Sequence, residues 1–193
     1  MDIGANTGQF AARLRATGWS GKIVSVEPLP DEHAEISAAA KSDARWTVAD
    51  RTALGAERGE IILYRYADSS LTSALKPLQD SAHFGAPTEV PTPVTTLDEL
   101  MGSLGLDPAR TFVKIDVQGL EMQVIAGGGG TLAKAPGATI ELALSRIYEG
   151  EPGYLDVLTA LDAHGLVPVY FCHVTSRRRM QPEAQMDAIL LRR

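Results

Sequence analysis

A glycine-rich turn near the amino end has the composition of a binding site. Gly4 and Gly8 lie in D-I-G-A-N-T-G, just before a predicted helix. Glycines let the backbone turn sharply and approach a ligand, and a helix amino end offers free N–H groups to an anion. Glu27 follows about 20 residues later, where an acid holds a nucleoside ribose in dinucleotide-binding folds. A tight turn followed by a solvated acid is the alternative interpretation.

Acidic residues near the ends of later strands form a second candidate group. Asp116 ends the clearest strand, residues 111–117, and open α/β sheets bind ligands at the carboxyl ends of their strands. Glu121 opens the next helix, where the helix dipole alone also favours a carboxylate. Lys114 shares a strand face with Asp116 and can pair with either acid or extend into solvent. Glu141 lies in an apolar strand, where an unpaired charge is costly, so we expect it to have a specific partner and regard it as a candidate substrate contact.

Bases and metal ligands are sparse elsewhere. His83 lies in an irregular middle segment and is either a general base in a substrate lid or an ordinary loop histidine. Tyr148 follows the strand of Glu141 and is a candidate substrate contact. The sequence has no H-x-x-x-H spacing, so it predicts no metal site, although Asp116 with Glu121 could bind a hard cation such as magnesium.

Three motifs together resemble a known family. D-I-G-A-N-T-G-Q-F, V-E-P-L-P around Glu27 and V-K-I-D-V-Q-G-L-E around Asp116 resemble the FkbM-type family of S-adenosylmethionine-dependent methyltransferases. T-L-D-E-L near residue 97, Y-E-G at residues 148–150 and M-D-A-I-L near the end extend the resemblance along the chain. It implies the class I methyltransferase fold, a Rossmann-like α/β fold. That fold has a mostly parallel seven-stranded sheet, an antiparallel last strand and helices on both faces.

The resemblance also implies how the cofactor, S-adenosyl-L-methionine, is held. Asp2, Gly4, Asn6 and Gly8 would surround its methionine end, and Glu27 would hold the ribose hydroxyls. Asn6 replaces the second glycine of G-x-G-x-x-G, which counts against a pyrophosphate-bearing cofactor.

Further residues receive candidate roles in the same way. Asp50, after the third strand, is either an acceptor for the adenine amino group or a loop carboxylate. Ser70, in the hydroxyl-rich residues 69–73, contacts cofactor or substrate, or serves only the turn. Methyl transfer to an alcohol needs alignment and removal of the alcohol's proton. Asp116 and Glu121 are the first candidates for that work, with His83 as an outside candidate.

The sequence therefore predicts an O-methyltransferase acting on a hydroxyl of a sugar, glycolipid, polysaccharide or polyketide-like natural product. An NAD-type Rossmann oxidoreductase would share the glycine turn and Glu27. It also calls for G-x-G-x-x-G and a catalytic Tyr/Lys or His arrangement, which the sequence lacks. An inactive cofactor-binding remnant is the third alternative, because only Met1 precedes the D-I-G motif. We therefore expect either a displaced start of the chain or a first, central strand that is nearly missing.

Alternating strand-like and helical runs must position these residues, as in an α/β fold. The predicted strands are residues 23–27, 45–49, 60–66, 111–117 and 139–144. The predicted helices are residues 9–17, 31–41, 97–104, 120–126 and 154–164. Residues 167–172 and 186–191 are predicted to pair as a hairpin. Residues 83–93 contain three prolines, which predict irregular chain or an edge strand.

Composition sets the outer limits. The 193 residues suit one domain over residues 1–193, and 24 acidic against 18 basic residues give a net charge of −6. This acidity argues against a nucleic-acid partner, and we interpret the three arginines at 177–179 as a solvated turn. No stretch predicts a membrane span or a signal peptide, and the lone Cys172 cannot form an internal disulfide. A cytoplasmic protein with a small-molecule or glycan acceptor is expected, and a homo-oligomer is compatible with this composition.

Overall fold

The computed structural model describes residues 1–78, 85–173 and 185–193. These residues form ten strands and six α-helices. The strands are β1 Asp2–Ile3, β2 Ile23–Val26, β3 Trp46–Val48, β4 Ala53–Leu54, β5 Gly59–Arg65, β6 Thr88–Thr95, β7 Val113–Ile115, β8 Gly137–Ala143, β9 Leu166–His173 and β10 Gln185–Arg192. The helices are α1 Gln9–Ala16, α2 Pro30–Ala40, α3 Leu97–Ser103, α4 Glu121–Ala126, α5 Gly129–Leu132 and α6 Tyr154–Ala163.

Seven strands form one sheet in the order β3-β2-β1-β7-β8-β10-β9. Strands β3, β2, β1, β7 and β8 pair in parallel, whereas β10 runs antiparallel to both β8 and β9. The predicted mostly parallel sheet, its antiparallel last strand and the terminal hairpin are confirmed. The strand order reverses between β1 and β7. Open α/β sheets bind ligands at such a switch point, beyond the carboxyl ends of the strands.

The centre of the sheet is the two-residue strand β1. Ile3 pairs with Val26 of β2 and Ile115 of β7, and all three side chains are buried in the main apolar core. The same register places Asp2 beside Lys114. A carboxylate and an ammonium group therefore lie next to each other in the interior, immediately below the glycine turn.

A separate three-stranded sheet has the order β4-β6-β5. Strand β6 pairs with β5 from Thr88 to Val94, but with β4 only at Val94 and Thr95. Pro91 and Pro93 therefore have a strand neighbour on one side only. Proline lacks the N–H donor of a strand ladder and is tolerated at such edge positions. Of the two sequence-based alternatives, a strand with edge character is the one that forms.

The helices follow the predicted segments, with ends shifted by one or a few residues. Helix α3 begins after Thr96, whose hydroxyl oxygen accepts a hydrogen bond from the Glu99 N–H at 3.1 Å. The Glu99 carboxylate accepts from the Thr95 hydroxyl instead of reaching back to Thr96, so only half of a capping box forms. Helix α6 packs on β8, β9 and α4, while α2 contacts β3. Among the described residues, no helix is long and apolar enough to cross a membrane.

Candidate functional site

A cavity of about 510 Å³ opens at the switch point of the main sheet. Its walls come from the turn after β1, the ends of β2 and β7, and residues 52–54 and 69–72. Strands β8 and β10 contribute one residue each, Glu141 and Gln185. This volume lies within the range of small-molecule and cofactor sites. Both polar and apolar side chains line it, so it suits a ligand with distinct polar and apolar parts.

The glycine turn forms one wall of the cavity. Gly4 has a φ of +73°, and a Cβ at this position would collide with the carbonyl oxygen of Asp116. Gly4 and Ala5 both donate their N–H groups to the Val26 carbonyl at 3.1 Å. Asn6 also has a left-handed φ of 48°. The close approach at Gly4 thus requires a glycine and brings the turn against the loop that follows β7.

Glu27 lies at the end of β2, lines the cavity and is only 4% exposed. Its Oε2 accepts a hydrogen bond from the Asn6 N–H at 2.7 Å, and its Oε1 accepts one from the Leu29 N–H at 2.9 Å. Burial raises the pKa of Glu27 to about 7, against the effect of these two hydrogen bonds. The carboxyl group is therefore fixed in orientation and close to its ionisation point at neutral pH.

Lys114 connects two acids below the glycine turn. Its Nζ lies 3.3 Å from Asp2 Oδ1 and 3.2 Å from Asp116 Oδ2, and it donates to the Gly4 carbonyl at 3.3 Å. Burial alone would lower the pKa of Lys114, but Asp116 and Asp2 outweigh burial and raise it. Burial raises the pKa of Asp2 despite Lys114. Of the pairings that the sequence left open for Lys114, Asp116 is one partner, and Asp2 is a second that was not considered.

The loop after β7 has an unusual backbone. Gln118 has a left-handed φ of 50°, and Gly119 follows with a φ of 96°. The Gln118 carbonyl accepts a 2.6 Å hydrogen bond from the Ser73 hydroxyl. Glu121 Oε1 accepts from the N–H groups of Val117 at 3.3 Å and Gly119 at 3.2 Å. Non-glycine residues in this conformation are strained and are held by their surroundings, as this loop is.

Glu121 is thus placed as a support for the loop. Its side chain is buried, and burial raises its pKa to about 7. Its hydrogen bonds go to the backbone of its own loop, so the structure adds no support for the predicted catalytic role of Glu121, which stays a prediction.

Glu141 has the specific partners that its apolar strand required. Its Oε2 accepts hydrogen bonds from the side-chain amides of Gln118 and Gln185, both at 2.7 Å. Gln118 Nε2 also donates to Asp116 Oδ1 at 3.1 Å. Burial raises the pKa of Glu141 to about 8, and the nearby charges of Asp116 and Asp187 add to this. The two carboxyl groups, one predicted as catalytic and one as substrate-binding, therefore share one end of the cavity.

Sequence reasoning missed the two side-chain amides that donate to Glu141, one of which, that of Gln118, also reaches Asp116. A glutamine in a loop carries no specific signal, and Gln185 lies at the start of a distant strand. The available clue for Gln118 was its place before Gly119, since glycine favours tight turns. That clue predicts backbone shape, not the contacts of the side chain.

The other predicted residues lie at different distances from the cavity. Ser70 lines it, with its hydroxyl donating to Asp68 at 2.6 Å. Gly8 precedes α1 with a φ of 92°, and a Cβ there would lie 2.8 Å from the Trp46 ring. Asp50 is exposed, next to the cavity residues 52–54. Tyr148 is fully buried, and its hydroxyl donates to the Leu71 carbonyl at 2.9 Å, behind the cavity wall.

Two further predictions concern His83 and a metal. His83 lies outside the described residues, as do the three arginines at 177–179. Within residues 1–78, 85–173 and 185–193, no group of three or more acids, histidines or cysteines is arranged to hold a metal ion.

The chemistry of the cavity fits a cofactor with hydroxyl groups. Thr72 Oγ1 lies in a wall residue, is buried and has no hydrogen-bond partner within the described part of the chain. Buried polar atoms are normally satisfied, so a bound ligand would supply the missing partner. The Glu27 carboxylate as an acceptor and the Thr72 hydroxyl as a polar partner together match a ribose better than an apolar ligand.

The sheet order, the antiparallel β10, the glycine turn after β1 and the acid after β2 together define a class I methyltransferase fold. Residues 2–167 match the family described as the Methyltransferase FkbM domain, and the chain belongs to that family. The predicted resemblance is thereby confirmed. No curated protein matches the chain.

Two solved structures are similar. One is the methyltransferase FkbM from Methylobacillus flagellatus KT, with 15% identity and a TM-score of 0.63, covering 97% of this chain and 42% of that one. The other is a TehB-like SAM-dependent methyltransferase from Corynebacterium glutamicum ATCC 13032 Kitasato, with 13% identity and a TM-score of 0.46, covering 100% of this chain and 78% of that one. The chain thus spans less than half of the FkbM structure.

Proposed function

We propose that the protein is an S-adenosylmethionine-dependent O-methyltransferase. The acceptor is a hydroxyl of a sugar, glycolipid, polysaccharide or polyketide-like natural product. Membership in the FkbM family supports methyl transfer, and the acceptor class follows from the resemblance of the sequence. The observation that carries the proposal is Glu27, a buried acid at the end of β2 whose two oxygens are fixed at the cavity wall.

Glu27 would hold the cofactor by accepting hydrogen bonds from the two ribose hydroxyls. The turn from Gly4 to Asn6 would lie along the methionine end, and Thr72 offers a further hydroxyl. Asp50 would reach the adenine amino group from the edge of the wall at residues 52–54. When bound, the cofactor supplies a methyl group on a positively charged sulfur.

The acids at the other end of the cavity would serve the acceptor. Asp116 accepts from Lys114 and Gln118, so its position is fixed and it can orient an alcohol by hydrogen bonding. Orientation of the reacting oxygen is a large part of the catalytic effect in such displacements. Residues 69–72, which include Ser70, would close the cavity wall and limit access of water.

Calorimetric titration with S-adenosylmethionine and with NAD tests the cofactor. We expect binding of S-adenosylmethionine, weakened by about 1–3 kcal/mol in Glu27→Ala because the ribose hydrogen bonds are lost. Glu35→Ala, at an exposed position on α2, is the matched control and should bind as the wild type does. NAD binding without S-adenosylmethionine binding would identify an oxidoreductase, and binding of neither would identify an inactive remnant.

Radiolabelled methyl transfer to simple methyl glycosides and to hydroxylated macrolactones tests the reaction. Asp116→Asn should keep the affinity for the cofactor but lower turnover, because the acceptor loses a charged partner. Unchanged turnover in this variant would refute the proposed role of Asp116 in orienting the acceptor.

A further inference from the structure

Two carboxyl groups face the acceptor end of the cavity in different surroundings. Asp116 and Glu141 both line it, and the Gln118 side-chain amide bridges them, at 3.1 Å from Asp116 Oδ1 and 2.7 Å from Glu141 Oε2. One amide group thereby fixes the spacing of the two acids. Only one proton has to leave an alcohol during methylation, so the two acids need not do the same work.

Asp116 is poorly suited to take a proton. Its Oδ2 lies 3.2 Å from the Lys114 ammonium group, and its Oδ1 accepts from Gln118. Both oxygens therefore face donors, one of them a buried cation. A proton transferred to either oxygen would have to displace one of these two contacts.

Glu141 has the opposite surroundings. Gln118 and Gln185 both donate to Oε2, and no hydrogen bond from the described residues reaches Oε1. Two neutral amides hold the carboxyl group in place and leave one oxygen available at the cavity wall. In the sheet, Asp187 of β10 lies directly opposite Glu141.

We propose that Glu141 takes the proton of the acceptor hydroxyl, that Gln118 and Gln185 position it, and that Asp116 orients the acceptor. This inference rests on the proposed function. The O–H bond of the acceptor breaks, and its proton goes to Glu141 Oε1. The acceptor oxygen keeps the electron pair and bonds to the methyl carbon, while the bond from that carbon to sulfur breaks and its pair stays on sulfur. Glu141 then releases the proton to solvent.

The electrostatic surroundings agree with this division. Burial, together with Asp116, Asp187 and Glu121, raises the pKa of Glu141 to about 8. Within the described part of the chain, the remaining groups nearby are the Tyr148 phenol, Lys114, which forms an ion pair with Asp116, and Arg13, which acts on Asp187. A base is most effective when its pKa lies near the working pH, so turnover should rise with pH and level off above about 8.

Carbon-13 NMR of protein labelled at its carboxyl carbons tests the assignment without any ligand. Between pH 5 and 10 we expect a carboxyl signal that titrates near pH 8 and is absent from Glu141→Gln. In Asp116→Asn the signal should remain, but its titration midpoint should move to lower pH. Gln118→Ala should move it upward by about one pH unit, because the ionised form loses a donor. Gln123→Ala, an exposed glutamine on α4, is the control and should not move it. A signal near pH 8 that survives in Glu141→Gln, or that ignores Gln118→Ala, overturns the inference.

The methyl-transfer assay adds a kinetic test. Glu141→Gln should lower turnover at least about 100-fold and abolish the rise towards pH 8. Asp116→Asn should also lower turnover and raise the KM for the acceptor, but it should retain the rise towards pH 8. Loss of that rise in Asp116→Asn together with its retention in Glu141→Gln overturns the inference. Absence of S-adenosylmethionine binding would instead defeat the proposed function, while the NMR titration would still decide which carboxyl titrates.

Discussion

Cofactor affinity is expected to depend on pH through Glu27. Burial raises the pKa of this carboxyl group to about 7. Its two oxygens already accept the N–H groups of Asn6 and Leu29 at 2.7 and 2.9 Å. A proton on either oxygen would compete with these donors and remove an acceptor from the ribose hydroxyls. Under the proposed role of Glu27, we therefore expect binding to require the ionised form and the affinity to fall as the pH falls through 7.

The size of the effect follows from the ionised fraction. At pH 6, one unit below a pKa of about 7, roughly one-tenth of the carboxyl groups are ionised, so the affinity should fall about tenfold, or about 1.4 kcal/mol. At pH 8 the loss should be negligible. Binding should release about 0.9 proton at pH 6, about 0.5 at pH 7 and about 0.1 at pH 8.

Calorimetry with S-adenosylmethionine in pairs of buffers with different ionisation heats measures both quantities. Glu27→Gln should bind weakly at every pH and lack this proton release, whereas exposed Glu35→Gln should behave as the wild type does. Glu121, Glu141 and the cofactor's amino group titrate in a similar range, but they remain in all three proteins. The difference between wild type and Glu27→Gln therefore isolates Glu27. Equal wild-type affinity at pH 6 and 8, or equal proton release from both proteins, would refute the reasoning.

Three further predictions concern the framework of the site. Lys114→Met should lower the free energy of unfolding by about 3–5 kcal/mol in urea titrations, because it leaves the carboxylates of Asp2 and Asp116 without their buried cation. Gly4→Ala should abolish stable folding or cofactor binding, since its Cβ meets a backbone oxygen, whereas Gly59→Ala meets no neighbour within 4 Å and should leave the Tm nearly unchanged. The wild-type Tm should fall as the pH rises from 5 to 9, because buried carboxyls with pKa values raised to about 7 and 8 hold their protons more tightly in the folded state. A flat or rising Tm over this range would contradict that prediction.

Local patterns were sufficient to predict much of the fold. The spacing of apolar residues predicted helices close to those observed. The motif around Asp116 predicted a buried strand, and strand periodicity placed Lys114 on the same face as Asp116, where the two form an ion pair. Each of these inferences depends on residues only a few positions apart, which is the range over which sequence periodicity carries information.

The remaining features depend on contacts that the fold makes between distant segments. Lys114 meets Asp2 only because β1 and β7 are neighbours, and Gln185 meets Glu141 only because β10 pairs with β8. Nothing in the local sequence of a glutamine distinguishes this contact from a solvent-exposed amide. Asp50 shows the same limit: its position after the third strand was clear, but its exposure depends on how the chain continues into β4.

The strained loop at Gln118 depends on the smaller sheet. Ser73 donates its hydroxyl to the Gln118 carbonyl, while its own backbone pairs with Tyr64 of β5, the Tyr64 N–H donating to the Ser73 carbonyl at 2.8 Å. The amide side chain that joins Asp116 and Glu141 is therefore oriented by a backbone conformation that the second sheet helps to hold. Because residues 69–72 also line the cavity, the same segment contributes to the cavity wall and to the spacing of the acids. A change of sequence in this segment would therefore alter both the shape of the cavity and the spacing of Asp116 and Glu141, even though the glycine turn lies on the other sheet.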